Sequence, residues 1–117
     1  MSERRIIICG SRDWEDSVAI ERVIQGLEPG EDIIVTGGAH GADQMAEEIA
    51  NRLGFAVEVR RALWEENGRA AGFIRNEEMA AAGADACIAF WDGLSRGTAD
   101  MMARAEKHGI KVAIVRA

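Results

Sequence analysis

Among its 117 residues the chain has no tyrosine, a single proline and only two cysteines. Each scarcity narrows the reading. Cys9 and Cys87 fall in predicted strands and form no C-x-x-C, so they read as core thiols on adjacent strands in a reduced, cytoplasmic setting. No apolar run approaches the ~20 residues that a membrane span requires, so no membrane partner is expected. The opening MSERR and the short apolar run behind it are too brief for a secretory signal. There is no basic excess either. A formal charge of −6 argues against a sequence-blind nucleic-acid binder, which would carry a basic face. G-x-x-x-x-G-K-[ST] is missing, which excludes a P-loop kinase or GTPase, and GGAHGA (37–42) is not the G-x-G-x-x-G of ordinary dinucleotide dehydrogenases. His40 has no second histidine or carboxylate at metal-ligand spacing, so no metal is expected and no cofactor is implied. Repeats, linkers and low-complexity segments are also missing. The length fits one domain over 1–117, ample for a core and too small for two.

What is present is a strict alternation of apolar runs and helical stripes. The central stretch is DIIVTGGAHGADQMAEEIANRLG (32–54). Ile33, Ile34 and Val35 do not alternate with polar residues, which predicts a strand buried on both faces. Ala42, Met45, Ala46, Ile49, Ala50 and Leu53 recur at helical spacing. Further strands are predicted at 5–9, 56–60, 84–90 and 111–115, with helices at about 16–27, 68–82 and 98–108; residues 61–67 read as a loop carrying Trp64. The third strand, AVEVR, alternates and so suits an edge. A β-α alternation of this kind predicts a Rossmann-like three-layer α/β sandwich around a five-stranded parallel sheet. Right-handed crossovers favour the order 3-2-1-4-5.

In that order strands 1, 2 and 4 are neighbours, and each is followed by a glycine-bearing turn: GSR, GGAHGAD and DGLSRGT. Ligands in open α/β sheets bind beyond the C-terminal strand ends at the topological switch, here between strands 1 and 4. Gly37, Gly38 and Gly41 let backbone approach a ligand closely, and the amides of the following helices favour an anion. Ser11, Ser95 and Thr98 add hydroxyls, with Thr98 standing where an N-cap would. Arg12 and Arg96 add guanidinium forks that match phosphate or carboxylate. The same glycines could also make nothing more than tight strand–helix turns. Arg75 lies mid-helix, either reaching the crevice as an anion ligand and electrophilic helper or pairing with Glu77 or Glu78 in solvent. Asn76 suits a ribose or base contact or a local cap. Asp43 could bond a ligand hydroxyl or stabilise its own helix start, and Asp100 suits the dipole of its first turn. Trp14 and Trp91 abut the turns, where either could stack on a purine or simply pack.

GSRDW (10–14), VTGGAHGAD (35–43), GRAAGFIRNEEM (68–79) and FWDGLSRGTADM (90–101) together resemble the YspA-type, cpYpsA-related branch of the SLOG superfamily, over about residues 5–115. That superfamily also holds the LOG phosphoribohydrolases and the Rossmann-like domain of the DprA DNA-processing protein. The resemblance implies a domain that binds a nucleotide or nucleotide-derived small molecule at Gly10, Ser11, Arg12, Gly37, Gly38, Gly41, Asp43, Arg75, Asn76, Ser95, Gly97 and Thr98. It also allows a homodimer. Catalysis transfers less well. LOG enzymes carry P-G-G-x-G-T-x-x-E, and here the glutamate position is Met101, whose thioether cannot act as general acid or base. Arg75 alone matches their catalytic set. The expected role is a sensor or ligand-binding effector, with N-glycoside hydrolysis or a DNA-processing accessory role as rivals.

Overall fold

Residues 4–10 alternate their burial between the two sides of one strand, and that alternation divides the molecule into two cores. A computed structural model describes residues 3–117; Met1 and Ser2, the first residues of the segment judged too short for a signal, lie outside the described residues. The elements run β1 (Arg4–Gly10), α1 (Ser17–Gln25), β2 (Asp32–Thr36), α2 (Ala42–Arg52), β3 (Ala56–Val59), α3 (Trp64–Asn67), a 3-10 turn (Gly68–Ala70), α4 (Ala71–Ala81), β4 (Ala86–Trp91), α5 (Arg96–Lys107) and β5 (Lys111–Arg116). All four strand pairings are parallel, in the order β3-β2-β1-β4-β5. AVEV is an edge strand, as its alternation predicts.

Ile6 and Ile8 point to one face of the sheet, where they meet Ile20 and Ile24 of α1 and Ala42, Ala46, Ile49 and Ala50 of α2. Trp14 and Phe90 complete that core, their rings edge to face at 5.4 Å. Ile7 and Cys9 point to the other face, against Met79 and Ala80 of α4 and Met101, Met102 and Ala105 of α5. The helical stripes on α2 and α5 are therefore the buried ones. Cys9 and Cys87 are free thiols in this second core, their sulfurs 3.9 Å apart. The neighbouring thiol and burial push the Cys9 pKa up, which suits an inert core residue. Among the described residues no helix is long and apolar enough to cross a membrane.

Several predicted boundaries move, two of them beside the C-terminal strand ends. Residues 61–67 are not all loop, because Trp64–Asn67 forms a helical turn, α3. The helix expected at 68–82 begins only at Ala71. Gly68, at φ +58°, takes the left-handed conformation that glycine tolerates and so breaks the chain direction between them. This break swings Trp64 back over α4, where its ring lies 3.5 Å from the position a Cβ on Gly72 would occupy.

Candidate functional site

The three turns at the C-terminal ends of β1, β2 and β4 meet through one serine. The Ser11 amide donates to the Phe90 carbonyl (2.9 Å), and the Ser11 carbonyl accepts from the Ala42 and Trp14 amides (3.2 Å each). Its hydroxyl accepts from the Asp92 amide at 3.0 Å. Ser11 is fully buried and lines none of the cavities, so it holds the turns together where the sequence offered it as a ligand hydroxyl. The glycines beside it permit the close approach. A Cβ on Gly10 would stand 2.5 Å from both the Ala42 Cβ and the Phe90 carbonyl oxygen. Gly41, at φ +91°, would drive one to 2.5 Å from the Ser11 carbonyl oxygen and still closer to that of Arg12.

Asp43 performs a similar task inside the second turn. One carboxylate oxygen, Oδ2, accepts from the amides of Gly37 (3.2 Å) and Ala39 (3.3 Å). Those amides are thereby taken up by the protein, and the carboxylate braces the turn, a role outside the two expected for it. Asp43 is only 4% exposed, and burial pushes its pKa up to about 6 despite the opposing pull of the Ala39 amide, the Arg75 guanidinium and the Gly37 amide. The buried Thr36 hydroxyl lies near enough to lower it slightly, yet outside hydrogen-bonding geometry, leaving Thr36 Oγ1 without a partner among the described residues.

The third turn is built differently. Asp92 Oδ1 accepts from the Leu94 and Ser95 amides at 2.8 Å each, and these bonds hold its carboxyl below the usual carboxylate range. Ser95, not Thr98, is the N-cap of α5: its hydroxyl accepts from the Thr98 amide (3.4 Å) and shares a hydrogen bond with Thr98 Oγ1 at 3.0 Å. The Arg96 and Gly97 amides meet no acceptor among the described residues. A Cβ on Gly97 would meet nothing within 4 Å.

A cavity of about 220 Å³ opens in front of this free first turn. Of the expected residues, Gly10, Arg12, Asp43, Arg75, Asn76, Ser95, Gly97 and Thr98 line it. Gly37 and Gly38 line an adjoining cavity of about 290 Å³, which shares Arg12, Ala39, Trp64 and Arg75 with the first. Gly41 borders a third, beside α2. Arg96 lines none of them, since its exposed side chain leaves the turn on the solvent side.

Arg75 turns inward. Its Nη1 donates to the Gly37 carbonyl (2.8 Å) and its Nε to Asn76 Oδ1 (2.9 Å), and it forms no ion pair with Glu77 or Glu78. Glu77 is instead paired with Arg104, Lys107 and His108. Arg12, Arg69 and Arg75 thus face one cavity without a carboxylate salt-bridge partner among the described residues, in a chain of net charge −6. Asn76, 5% exposed, is engaged with the Gly97 carbonyl and Asp100. Met101, at the expected glutamate position, lines the same cavity, while Asp100 is occupied by Asn76 and Arg104.

The tryptophans exchange roles. Trp14 is core, and Trp91 donates its Nε1 proton to the Ser95 carbonyl while Arg116 stacks on its ring. Trp64, read only as a loop residue, is 51% exposed at the cavity mouth beside Arg69, Gly72 and Phe73. No spacing in the sequence marked these four, because it is the turn at Gly68 that brings Trp64 over the start of α4. Among the described residues no cluster of histidine, cysteine and carboxylate side chains could hold a metal.

Fold and site define a Rossmann-like α/β domain with its crevice at the topological switch of a 3-2-1-4-5 sheet. A family model for the YspA, cpYpsA-related SLOG family matches residues 4–66, from β1 through most of α3. The chain is 43% identical over 122 residues to the Gene 61 protein of Mycobacterium phage D29, covering 93% of this chain and 94% of that protein. It belongs to the YspA, cpYpsA-related SLOG family. Among solved structures it is similar to DNA processing protein A (DprA) from Streptococcus pneumoniae, with a TM-score of 0.81 and 22% identity. That match covers 96% of this chain and 50% of the DprA chain, and at such low identity it establishes the fold alone.

Proposed function

We propose that the crevice binds a nucleotide or nucleotide-derived phosphorylated small molecule, and that the chain acts as a sensor or ligand-binding effector. One observation carries the reading: Gly97, whose amide is free at the start of α5, lines the same cavity as Arg12, Arg69 and Arg75, none of which has a carboxylate salt-bridge partner among the described residues. Amides at a helix start and guanidinium forks both favour phosphate oxygens. The exposed Trp64 ring at the mouth offers a surface for a base. A reduced, cytoplasmic setting belongs to the same proposal, supported by the two free buried thiols.

Thermal-shift screening with mono-, di- and cyclic nucleotides, NAD and ADP-ribose tests it. A ligand present at a hundred times its Kd adds about 2.7 kcal/mol of stability. Arg12→Ala, a change at an exposed side chain, should remove the shift and leave the ligand-free melting curve in place. No stabilising ligand in the whole set would sink the reading.

A second reading, N-glycoside cleavage, has one observation in its favour. Asp43 lines the cavity with a pKa of about 6, in the range useful for proton transfer. Asp100 is engaged elsewhere, so Asp43 would be the group to test. Release of free base from a nucleoside monophosphate, lost in Arg75→Ala and in Asp43→Asn, is its expected outcome. Intact substrate after prolonged incubation with the native chain would remove it.

A further inference from the structure

A continuous line of hydrogen bonds joins the first turn of α5 to the guanidinium in the cavity. Asp100 Oδ2 accepts from Asn76 Nδ2 at 3.0 Å, and the Gly97 carbonyl accepts from the same nitrogen at 3.2 Å. On the opposite side of that amide, Asn76 Oδ1 accepts from Arg75 Nε at 2.9 Å, and Arg75 Nη1 continues to the Gly37 carbonyl at 2.8 Å. Behind Asp100, Arg104 donates its Nε to the same Oδ2 at 2.8 Å and its Nη1 to Glu77 at 3.2 Å.

We infer that Asp100 is a positioning residue of this crevice: through Asn76 it fixes the Arg75 guanidinium against the β2–α2 turn and ties that guanidinium to the helix start that carries the free Gly97 amide. A primary amide can sit either way round, and only one orientation pairs every group here. With Nδ2 between two acceptors and Oδ1 toward a guanidinium, nothing is left unmatched. The reverse would set a carbonyl oxygen against the Asp100 carboxylate and an NH2 against Arg75. A buried amide so frustrated costs more than an absent one. Asp100 supplies the charge that makes this choice one-sided, and Arg104 keeps Asp100 in place. The Nε and Nη1 donors of Arg75 are consumed in holding the plane of the guanidinium, while Nη2 meets no protein acceptor among the described residues. Gly37 is part of the same arrangement, because a Cβ there would stand 2.5 Å from Arg75 Nη1.

The ligand arm of the test rests on the nucleotide-binding reading, and the spectroscopic arm does not. The probes are ADP affinity and the solvent exchange of the Arg75 Nε proton, its NMR signal assigned by its loss in Arg75→Lys. Asp100→Ala should speed that exchange at least about tenfold and weaken ADP by about tenfold, the loss of one charge-assisted hydrogen bond. Asn76→Asp, which sets two carboxylates face to face, should do the same. His108→Ala is the control for general loosening between α4 and α5, since it removes the contact on Glu77 Oε2 and leaves Arg104 on Oε1, and it should leave the Arg75 proton as in the native chain. Unchanged exchange in Asp100→Ala overturns the inference whatever happens to ADP. Equal acceleration in His108→Ala overturns it as well. If the native chain fails to bind ADP but exchange responds as stated, the positioning role stands and the ADP reading falls.

Discussion

The turns before α2 and α5 carry similar motifs, GGAHGAD and DGLSRGT, yet the protein uses them in opposite ways. Before α2 the Gly37 and Ala39 amides are taken by Asp43, and the Ala42 amide by Ser11. Its glycines are needed because carbonyls and guanidinium groups crowd them. Before α5 the Leu94 and Ser95 amides are taken by Asp92, but the Arg96 and Gly97 amides are free and Gly97 stands in open space. Glycine in a turn thus has two physical meanings, crowding by the protein's own chain or clearance for something else. Spacing alone does not separate them.

Substitutions can break this contrast in graded steps. Gly41→Val places a β-branched side chain at φ +91° against two carbonyl oxygens. It should cost about 3 kcal/mol or more and be seen as a lost or much lowered melting transition.

Asp43→Asn probes the same turn without changing its shape. The carboxyl pKa is raised in the folded chain to about 6 from an ordinary value of 3.8, so the fold binds its proton more tightly than the unfolded chain does. Stability from this group is therefore highest below about pH 4 and falls as pH rises through about 6. At neutral pH the substitution should add about 1 to 3 kcal/mol and flatten the pH dependence of Tm between about pH 4 and 6. A variant whose Tm changes with pH just as the native chain's does would show that Asp43 is not the titrating group.

In the other turn, Ser95→Ala removes the α5 cap and should cost about 1 kcal/mol in denaturant melts. Gly97→Ala should be the mildest in stability, within about 0.5 kcal/mol of the native chain, because its Cβ meets nothing. Its effect should fall on ligand affinity, since Gly97 lines the cavity. The same glycine-to-alanine change at Gly41 should do the reverse and cost stability.

Much of the architecture was legible because buried parallel strands are written as unbroken apolar runs and helices as stripes. IIVT and the Ala42–Leu53 stripe left little choice, and AVEVR announced an edge. Gly68 was harder, since one positive φ reverses the chain with no warning in the periodicity. Arg75 and Gly97 were visible as candidates because their residue types suit anions. Ser11, Asn76 and Asp43 were legible only as polar residues in the right neighbourhood. Their tasks depend on partners distant in the sequence or on the turn's own geometry, such as the Asp92 amide for Ser11. Trp64 was hidden by its loop-like context until Gly68 brought it back over Gly72.

The central claim is that the first turn of α5 is open to an anionic ligand. An NMR titration of the ¹⁵N-labelled chain with ADP tests this most directly. The Gly97 amide and the Arg75 Nε–H signals should shift together and saturably, with Gly37 and Ala39 moving less because Asp43 already holds their amides. Shifts centred on the β2–α2 turn, or no shift at Gly97 at millimolar ADP, would contradict it.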